Sequence, residues 1–225
     1  MSASALSALQ GQVCVVTGAS RGIGLAIAEA LALEGARLSV CAVQEPPRFG
    51  EYAARCDVSE SKQVADFFAE SEQRVGPPDV LIINAGVLER GAVDELSERQ
   101  WDRVLGVNLK GAFLCARAVW PSMRARSRGR IIALGSISGT LGTPLSSAYN
   151  ASKWGLTGFM KSIAEEGRDH GIFCATVLAG STDTDMLRQT SFAPQMTPLD
   201  VAGVVRYLAA DAPLAMTGSA VEVFG

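Results

Sequence analysis

Short apolar runs alternate with helical patterns along the whole of this 225-residue chain, and that alternation restricts the fold more than any other feature. Runs of strand length fall at 13–16, 38–42, 54–56, 80–83, 130–134, 173–178 and 221–223. Helical patterns lie at 24–34, 61–75, 98–107, 109–126, 148–168 and 198–209. Several runs are apolar at every position rather than at every second one, as strands are when both faces of a parallel sheet are covered. The alternation predicts an α/β, doubly wound, mostly parallel sheet of seven strands with helices on both faces. Ser97-Glu98-Arg99-Gln100 has the form of a capping box, and Ser59 stands ahead of the helix expected at 61. One connection is unlike the rest. Residues 43–53 carry Pro46-Pro47 and Gly50, which disfavour a crossover helix and predict a short irregular link.

At 48% hydrophobic and 19% charged residues, the chain can bury one generous core. No linker, repeat or low-complexity stretch divides it, so a flexible segment at 1–10 and a single domain at 11–225 are expected. A net charge of −3 provides no field to hold nucleic acid or anionic lipid. No apolar run approaches the roughly 20 residues of a membrane span, and 1–10 lacks the basic start of a signal peptide. Five cysteines without a C-x-x-C pair, with His170 the lone histidine, read as reduced core thiols rather than disulfides or a metal site. A soluble cytoplasmic protein, with no metal, nucleic-acid or membrane partner, is the expectation.

The first run leads into Thr17-Gly18-Ala19-Ser20-Arg21-Gly22-Ile23-Gly24 and then directly into a helix. Strand, glycine-rich turn and helix N-terminus together make an anion site, because the first N–H groups of the helix lack partners and its dipole is positive there. Gly18 allows the tight turn, Gly22 the close approach of a pyrophosphate, and Gly24 close packing of helix on strand. The spacing is G-x-x-x-G-x-G, not G-x-G-x-x-G, and no Gly-Lys-Ser/Thr follows to make a P-loop. Taken alone, such a turn is also compatible with simple chain reversal.

This segment resembles the coenzyme motif of the short-chain dehydrogenases/reductases, and the likeness continues in that family's order. Asn84-Ala85-Gly86 resembles its N-A-G segment and Asn108-Leu109-Lys110-Gly111 its asparagine segment. Ser136 precedes Tyr149-Asn150-Ala151-Ser152-Lys153 at the family's spacing. The resemblance implies a Rossmann fold and an enzyme that moves hydride between nicotinamide C4 and a carbonyl or secondary alcohol. It also implies a homo-oligomer, tetramer or dimer, through the helices at 109–126 and 148–168. The chain is similar to 3-oxoacyl carrier-protein reductases, which makes a 3-oxoacyl thioester one expected substrate and a general small-molecule carbonyl the other.

Tyr149 and Lys153 lie four apart at the start of a predicted helix and so project from one face. Reducing a ketone by hydride leaves an alkoxide that needs a proton. A phenol with its ordinary pKa near 10 is a reluctant donor, and a nearby ammonium is expected to bring it down. Ser136 and Ser138 both follow the fifth strand, where a hydroxyl can face a developing oxyanion; the resemblance selects Ser136. Asn108 is unfavourable inside a helix and marks a possible local break. The resemblance gives it a water-mediated link from Lys153 to solvent. Tyr149→Phe is expected to abolish most turnover while sparing cofactor binding. The alternative, a non-catalytic dinucleotide sensor or interaction protein on the same fold, would not need Asn108, Ser136, Tyr149 and Lys153 together.

The remaining cofactor contacts rest on the resemblance. Asp57 and Val58 match its adenine-contacting segment, and Asn84, Ala85 and Gly86 line its coenzyme site. Gly180, Thr182 and Thr184 match the segment that follows the sixth strand, with Ala179 in place of the usual proline and so a looser turn. An NAD enzyme carries an acid near the end of the second strand. Here Ala42-Val43 occupies that position. With Arg21 in the glycine loop and Arg48 as a second contact, NADP is favoured over NAD, although Val43 stands where NADP relatives often carry arginine. Specificity is expected in the loops 87–96, 137–148 and 186–197. The last carries Met186, Leu187, Phe192 and Met196 and is expected to be a mobile apolar lid.

Overall fold

The computed structural model describes residues 7–46 and 49–225. Seven strands, β1 (Val13–Thr17), β2 (Arg37–Ala42), β3 (Tyr52–Arg55), β4 (Val80–Ile83), β5 (Gly129–Leu134), β6 (Ile172–Ala179) and β7 (Ala220–Val223), form one sheet. Its order is β3-β2-β1-β4-β5-β6-β7, and every neighbouring pair is parallel. The helices are α1 (Gly22–Leu33), α2 (Ser61–Arg74), α3 (Glu98–Leu105), α4 (Gly111–Ala125), α5 (Ser147–Arg168) and α6 (Pro198–Ala210). The doubly wound α/β fold read from the sequence is present, and its sheet is parallel throughout.

Two apolar layers sandwich the sheet because successive strand residues point to opposite faces. Cys14 and Val16 join Ile27, Leu31, Val205 and Leu208 of α1 and α6. Val15, between them, joins Phe67, Cys115, Leu156 and Met160 of α2, α4 and α5. All five cysteines are free and buried in these layers. Chain order reverses between β1 and β4, and it is beyond the carboxyl ends of strands at such a point that ligands of open α/β sheets bind.

Several local expectations change. Residues 1–6 of the segment expected to be flexible lie outside the described residues. Residues 7–10 are not a free tail, because Leu9 is fully buried in the α1/α6 layer and the Ser7 hydroxyl donates to Glu34. β3 begins two residues earlier than the apolar run at 54, its exposure alternating as an edge strand's does. Ser97 and Gln100 form the capping box at α3, but Glu60, not Ser59, is the N-cap of α2; the Ser59 hydroxyl donates to Asp57 Oδ1 at 2.7 Å. No helix forms in the described part of the β2–β3 link, in agreement with its prolines. Among the described residues, no helix is long and apolar enough to cross a membrane, and no group of three His, Cys, Asp or Glu side chains is placed to hold a metal ion.

Candidate active site

Thr17, fully buried at the end of β1, organises the crevice. Its hydroxyl donates to the Ile82 carbonyl at 3.3 Å and accepts from the N–H groups of Asn84 at 3.0 Å and Ala85 at 3.2 Å. Asn84 Nδ2 in turn donates to the carbonyls of Thr17 at 3.0 Å and Gly18 at 2.9 Å. The N-A-G segment is thereby fastened to the glycine loop, and the Asn84 side chain is spent on that task. The loop is also tied to β2, with Ala19 N donating to the Cys41 carbonyl at 3.1 Å.

The loop has no room for side chains where it turns. Gly18 adopts φ +67°, and a Cβ there would lie 2.8 Å from Ala85 Cα; at Gly24 a Cβ would lie 2.3 Å from both Asn84 Nδ2 and the Gly18 carbonyl oxygen. Gly22, at φ +57°, faces the Thr184 methyl. Arg21 is the N-cap of α1, no side chain caps that end, and no acid occupies its first turn. A helix end with unclaimed N–H donors, a bare dipole and glycines on its approach fits a dinucleotide pyrophosphate. Ser20 is half-buried in the same loop, and the Ile23 side chain packs on the core, leaving its backbone at the helix end.

β5 ends at Leu134, and Ser136 follows in extended backbone, capping a short 3₁₀ turn, Ile137–Gly139, by accepting from Ser138 N at 3.1 Å. The same hydroxyl lies beside the Tyr149 phenol. Ser138 instead pairs with Thr143 Oγ1 at 3.4 Å, so the two candidate serines are separated by their surroundings. The turn packs directly on α5, where a Cβ on Gly139 would lie 3.1 Å from the Lys153 carbonyl oxygen.

Tyr149 and Lys153 occupy successive turns at the start of α5. Lys153 Nζ lies 5.6 Å from the Tyr149 ring centroid and donates to the Leu134 carbonyl at 2.7 Å. Burial pushes the Tyr149 phenol above its ordinary value, while the Ser136 hydroxyl beside it pulls the other way. Burial also brings the Lys153 ammonium down to about 8. The expected lowering of the phenol by its neighbour is thus reversed. Removing water disfavours both charges, and the ammonium sits against the ring and a carbonyl.

The break expected at Asn108 is a π-helical turn, Gly106–Lys110, between α3 and α4. Asn108 is 1% exposed; it accepts from Val87 N at 2.8 Å and donates to the Val87 carbonyl and to Ser152 Oγ, both at 3.0 Å. The Ser152 hydroxyl in turn donates to the Tyr149 carbonyl at 2.7 Å. Ser152 was not singled out from the sequence, where its place between Tyr149 and Lys153 was the available signal. Gly86 stands between these groups, where a Cβ would be 3.4 Å from Asn108 Oδ1 and 3.8 Å from Lys153 Nζ.

The outer contacts are less uniform. Asp57 Oδ1 accepts from the backbone and hydroxyl of Ser59 at 2.9 and 2.7 Å, and Val58 is buried against Gly111. Gly180 N donates to the Val223 carbonyl at 2.8 Å, so pairing with β7 supplies the rigidity that Ala179 in place of proline was expected to lose. Thr182 is buried, with its hydroxyl donating to the Gly180 carbonyl at 3.2 Å and its backbone bridged to Met196. Met196 therefore belongs to the core rather than to a lid, whereas Phe192 is half exposed. Arg48 lies outside the described residues.

The model for short chain dehydrogenase matches residues 12–194. The chain is 35% identical to the 3-oxoacyl-[acyl-carrier-protein] reductase MabA of Mycobacterium tuberculosis (strain ATCC 25618 / H37Rv), covering 94% of this chain and 90% of that protein. It is 31% identical to the 3-oxoacyl-[acyl-carrier-protein] reductase FabG of Escherichia coli (strain K12), covering 96% and 97%. Acetoacetyl-CoA reductase of Shinella zoogloeoides is 32% identical over 95% of this chain and 97% of its own length. The crystal structure of gox2181 superposes with a TM-score of 0.89 at 29% identity, covering 96% of this chain and 95% of that one. A glycine-lined helix end at the switch point, a half-buried tyrosine over its lysine and a match of this extent agree with one another: the chain belongs to the short chain dehydrogenase family and is an NAD(P)-dependent oxidoreductase.

Proposed function

We propose that this oxidoreductase reduces 3-oxoacyl thioesters with NADPH, with Tyr149 as general acid. The observation that carries the proposal is the Tyr149–Lys153 pair beside Ser136, at the carboxyl end of β5, which only β4 separates from the strand that leads into the glycine loop. The substrate class is supported by the relatives, whose names give 3-oxoacyl carrier-protein and acetoacetyl-CoA reductases.

When bound, the nicotinamide cofactor supplies hydride to the carbonyl carbon. Tyr149 Oη delivers its proton to the carbonyl oxygen as that oxygen gains charge, and Ser136 Oγ donates a hydrogen bond to the same atom. The Tyr149 phenol, protonated at neutral pH even at its ordinary value and shifted upward by burial, is in the form reduction requires. Lys153 and Asn108 hold the tyrosine's turn of α5 against β5 and the π-helical turn, and Lys153 provides a proton source behind the phenol.

Gly18, Ser20, Gly22, Ile23 and Gly24 would surround the pyrophosphate, Arg21 would meet the 2′-phosphate, and Asp57 with the Val58 backbone would meet the adenine. Asn84, Ala85 and Gly86 would border the cofactor, while Gly180, Thr182 and Thr184 would face its nicotinamide half and Tyr149 and Lys153 the adjoining ribose. NADP over NAD is supported by the residues after β2, Val43 and Gln44, which bring no carboxylate, and by Arg21 Nη1, which reaches Gln44 Oε1 at 3.1 Å. Exposed Phe113 on α4, which lines a groove of about 500 Å³ with Leu105, Leu109 and Phe159, and exposed Trp154 on α5 support a homo-oligomer, dimer or tetramer. Five buried free thiols support a reducing, cytoplasmic location. The test is reduction of acetoacetyl-CoA by the purified protein with NADPH and with NADH. Turnover with NADPH preferred is expected, and no turnover on thioesters alongside turnover on simple ketones would overturn the substrate class.

A further inference from the structure

Arg21 is held between two segments far apart in sequence. Nη1 donates to Gln44 Oε1 at 3.1 Å beyond β2, and Nε stands 3.6 Å from Asp185 Oδ2. Asp185 follows Thr184, whose methyl covers Gly22 of the glycine loop. The other Asp185 oxygen accepts from Arg188 Nη1 at 2.6 Å, and Arg188 Nη2 reaches Asp183 Oδ1 at 3.1 Å. A chain of alternating charges thus runs from the Leu187–Gln189 turn to the cation at the N-cap of α1.

From this geometry we infer that Asp185 is a specificity-determining residue, which competes with the 2′-phosphate of NADPH for Arg21 and so sets how strongly the chain prefers NADPH over NADH. The inference rests on the proposed reading of Arg21 as the 2′-phosphate contact. The Arg21–Asp185 pair is exposed, with 61% and 55% of the two side chains accessible, and pairs of that kind are weak. A phosphate dianion offering charge-assisted hydrogen bonds can draw the guanidinium away. Arg188 keeps Asp185 partnered when Arg21 leaves, so the exchange strands no carboxylate. The pyrophosphate is common to both cofactors and meets Asp185 equally in each. Only the 2′-phosphate makes its demand on Arg21, and the effect of Asp185 therefore falls on the difference between them.

The experiment measures dissociation constants of NADPH and NADH, by nicotinamide fluorescence at low salt, for the wild-type chain, Asp185→Asn, Arg21→Ala and the double variant. Asp185→Asn is expected to tighten NADPH about two- to five-fold, the range of one exposed ion pair, and to leave NADH unchanged. In the Arg21→Ala background the same substitution is expected to change neither cofactor. Equal shifts for NADPH and NADH, no shift for either, or a shift that persists without Arg21 would overturn the role of Asp185. If Arg21→Ala weakens both cofactors alike, the reading of Arg21 itself fails and the inference falls with it; if it weakens NADPH alone while Asp185→Asn does nothing, only the inference fails.

Discussion

Lys153 Nζ faces the Tyr149 ring at 5.6 Å from its centroid while its hydrogen bond is given to the Leu134 carbonyl at 2.7 Å. The ammonium is thereby fixed to the end of β5 rather than to the phenol oxygen. Burial then moves the two groups in opposite directions, the phenol upward and the lysine to about 8, so the lysine loses its proton first as pH rises.

That order has a measurable consequence for stability. The folded lysine releases its proton near 8, whereas the unfolded one holds it to about 10.5. Between those values the unfolded chain binds more protons, so the penalty of the buried charge is full below pH 8 and fades as pH rises. Stability of the wild-type chain relative to Lys153→Met is expected to climb by up to about 3 kcal/mol from neutral to alkaline pH. Urea unfolding of both proteins across that range checks it, and parallel pH profiles would contradict it.

Gly24→Ala places a Cβ 2.3 Å from Asn84 Nδ2 and from the Gly18 carbonyl oxygen, and the backbone atom cannot yield without opening the loop. The expected cost is about 1–3 kcal/mol of stability. Cofactor affinity should fall as well, because the Asn84 bonds that shape the loop are displaced. Denaturant unfolding and fluorescence titration report the two effects separately.

Asn108→Ala leaves the buried Val87 N–H without its 2.8 Å acceptor and removes the donor to Ser152. A loss of about 1–3 kcal/mol is expected. Asn108→Asp, which fills the same space but sets a buried carboxylate against the Val87 carbonyl oxygen, should not recover it. Chemical denaturation of the three proteins decides between this and a side chain that merely fills space.

How much of this was legible in the sequence depended on where the information lay. β4 coincides with its apolar run because it is covered on both faces; β3, at the sheet edge, alternates, and its start was displaced for that reason. The glycine spacing and the Tyr149–Lys153 interval mark the site because both are local. Asn108 announced a break, but the π-helical form depends on Val87 and Ser152, which the chain brings from elsewhere. The Leu134 carbonyl that holds Lys153 is a backbone atom and leaves no mark in a side-chain pattern. The upward shift of Tyr149 was hidden too, since a neighbouring ammonium is visible as a spacing while burial is not. Leu9 stands in a short start of mixed small, apolar and polar residues, which gave no periodicity by which to see that it is core.

Phe113, 42% exposed beside Phe159 on the face shared by α4 and α5, is the residue through which the proposed homo-oligomer is most simply tested. Phe113→Glu puts a charge where an apolar contact would be desolvated, which is costly. Sedimentation of the wild-type chain should report a dimer or tetramer and the variant a smaller species. A wild-type monomer, or an unchanged assembly in the variant, would contradict this interface.

The most direct measurement is single-turnover reduction of acetoacetyl-CoA by NADPH in the wild-type chain and in Tyr149→Phe, with cofactor affinity determined on the same samples. If Tyr149 supplies the proton, the chemical step should slow by about 10²–10⁴-fold while the dissociation constant of NADPH stays within about two-fold. A variant that reduces the thioester at close to the wild-type rate would contradict the account at its centre.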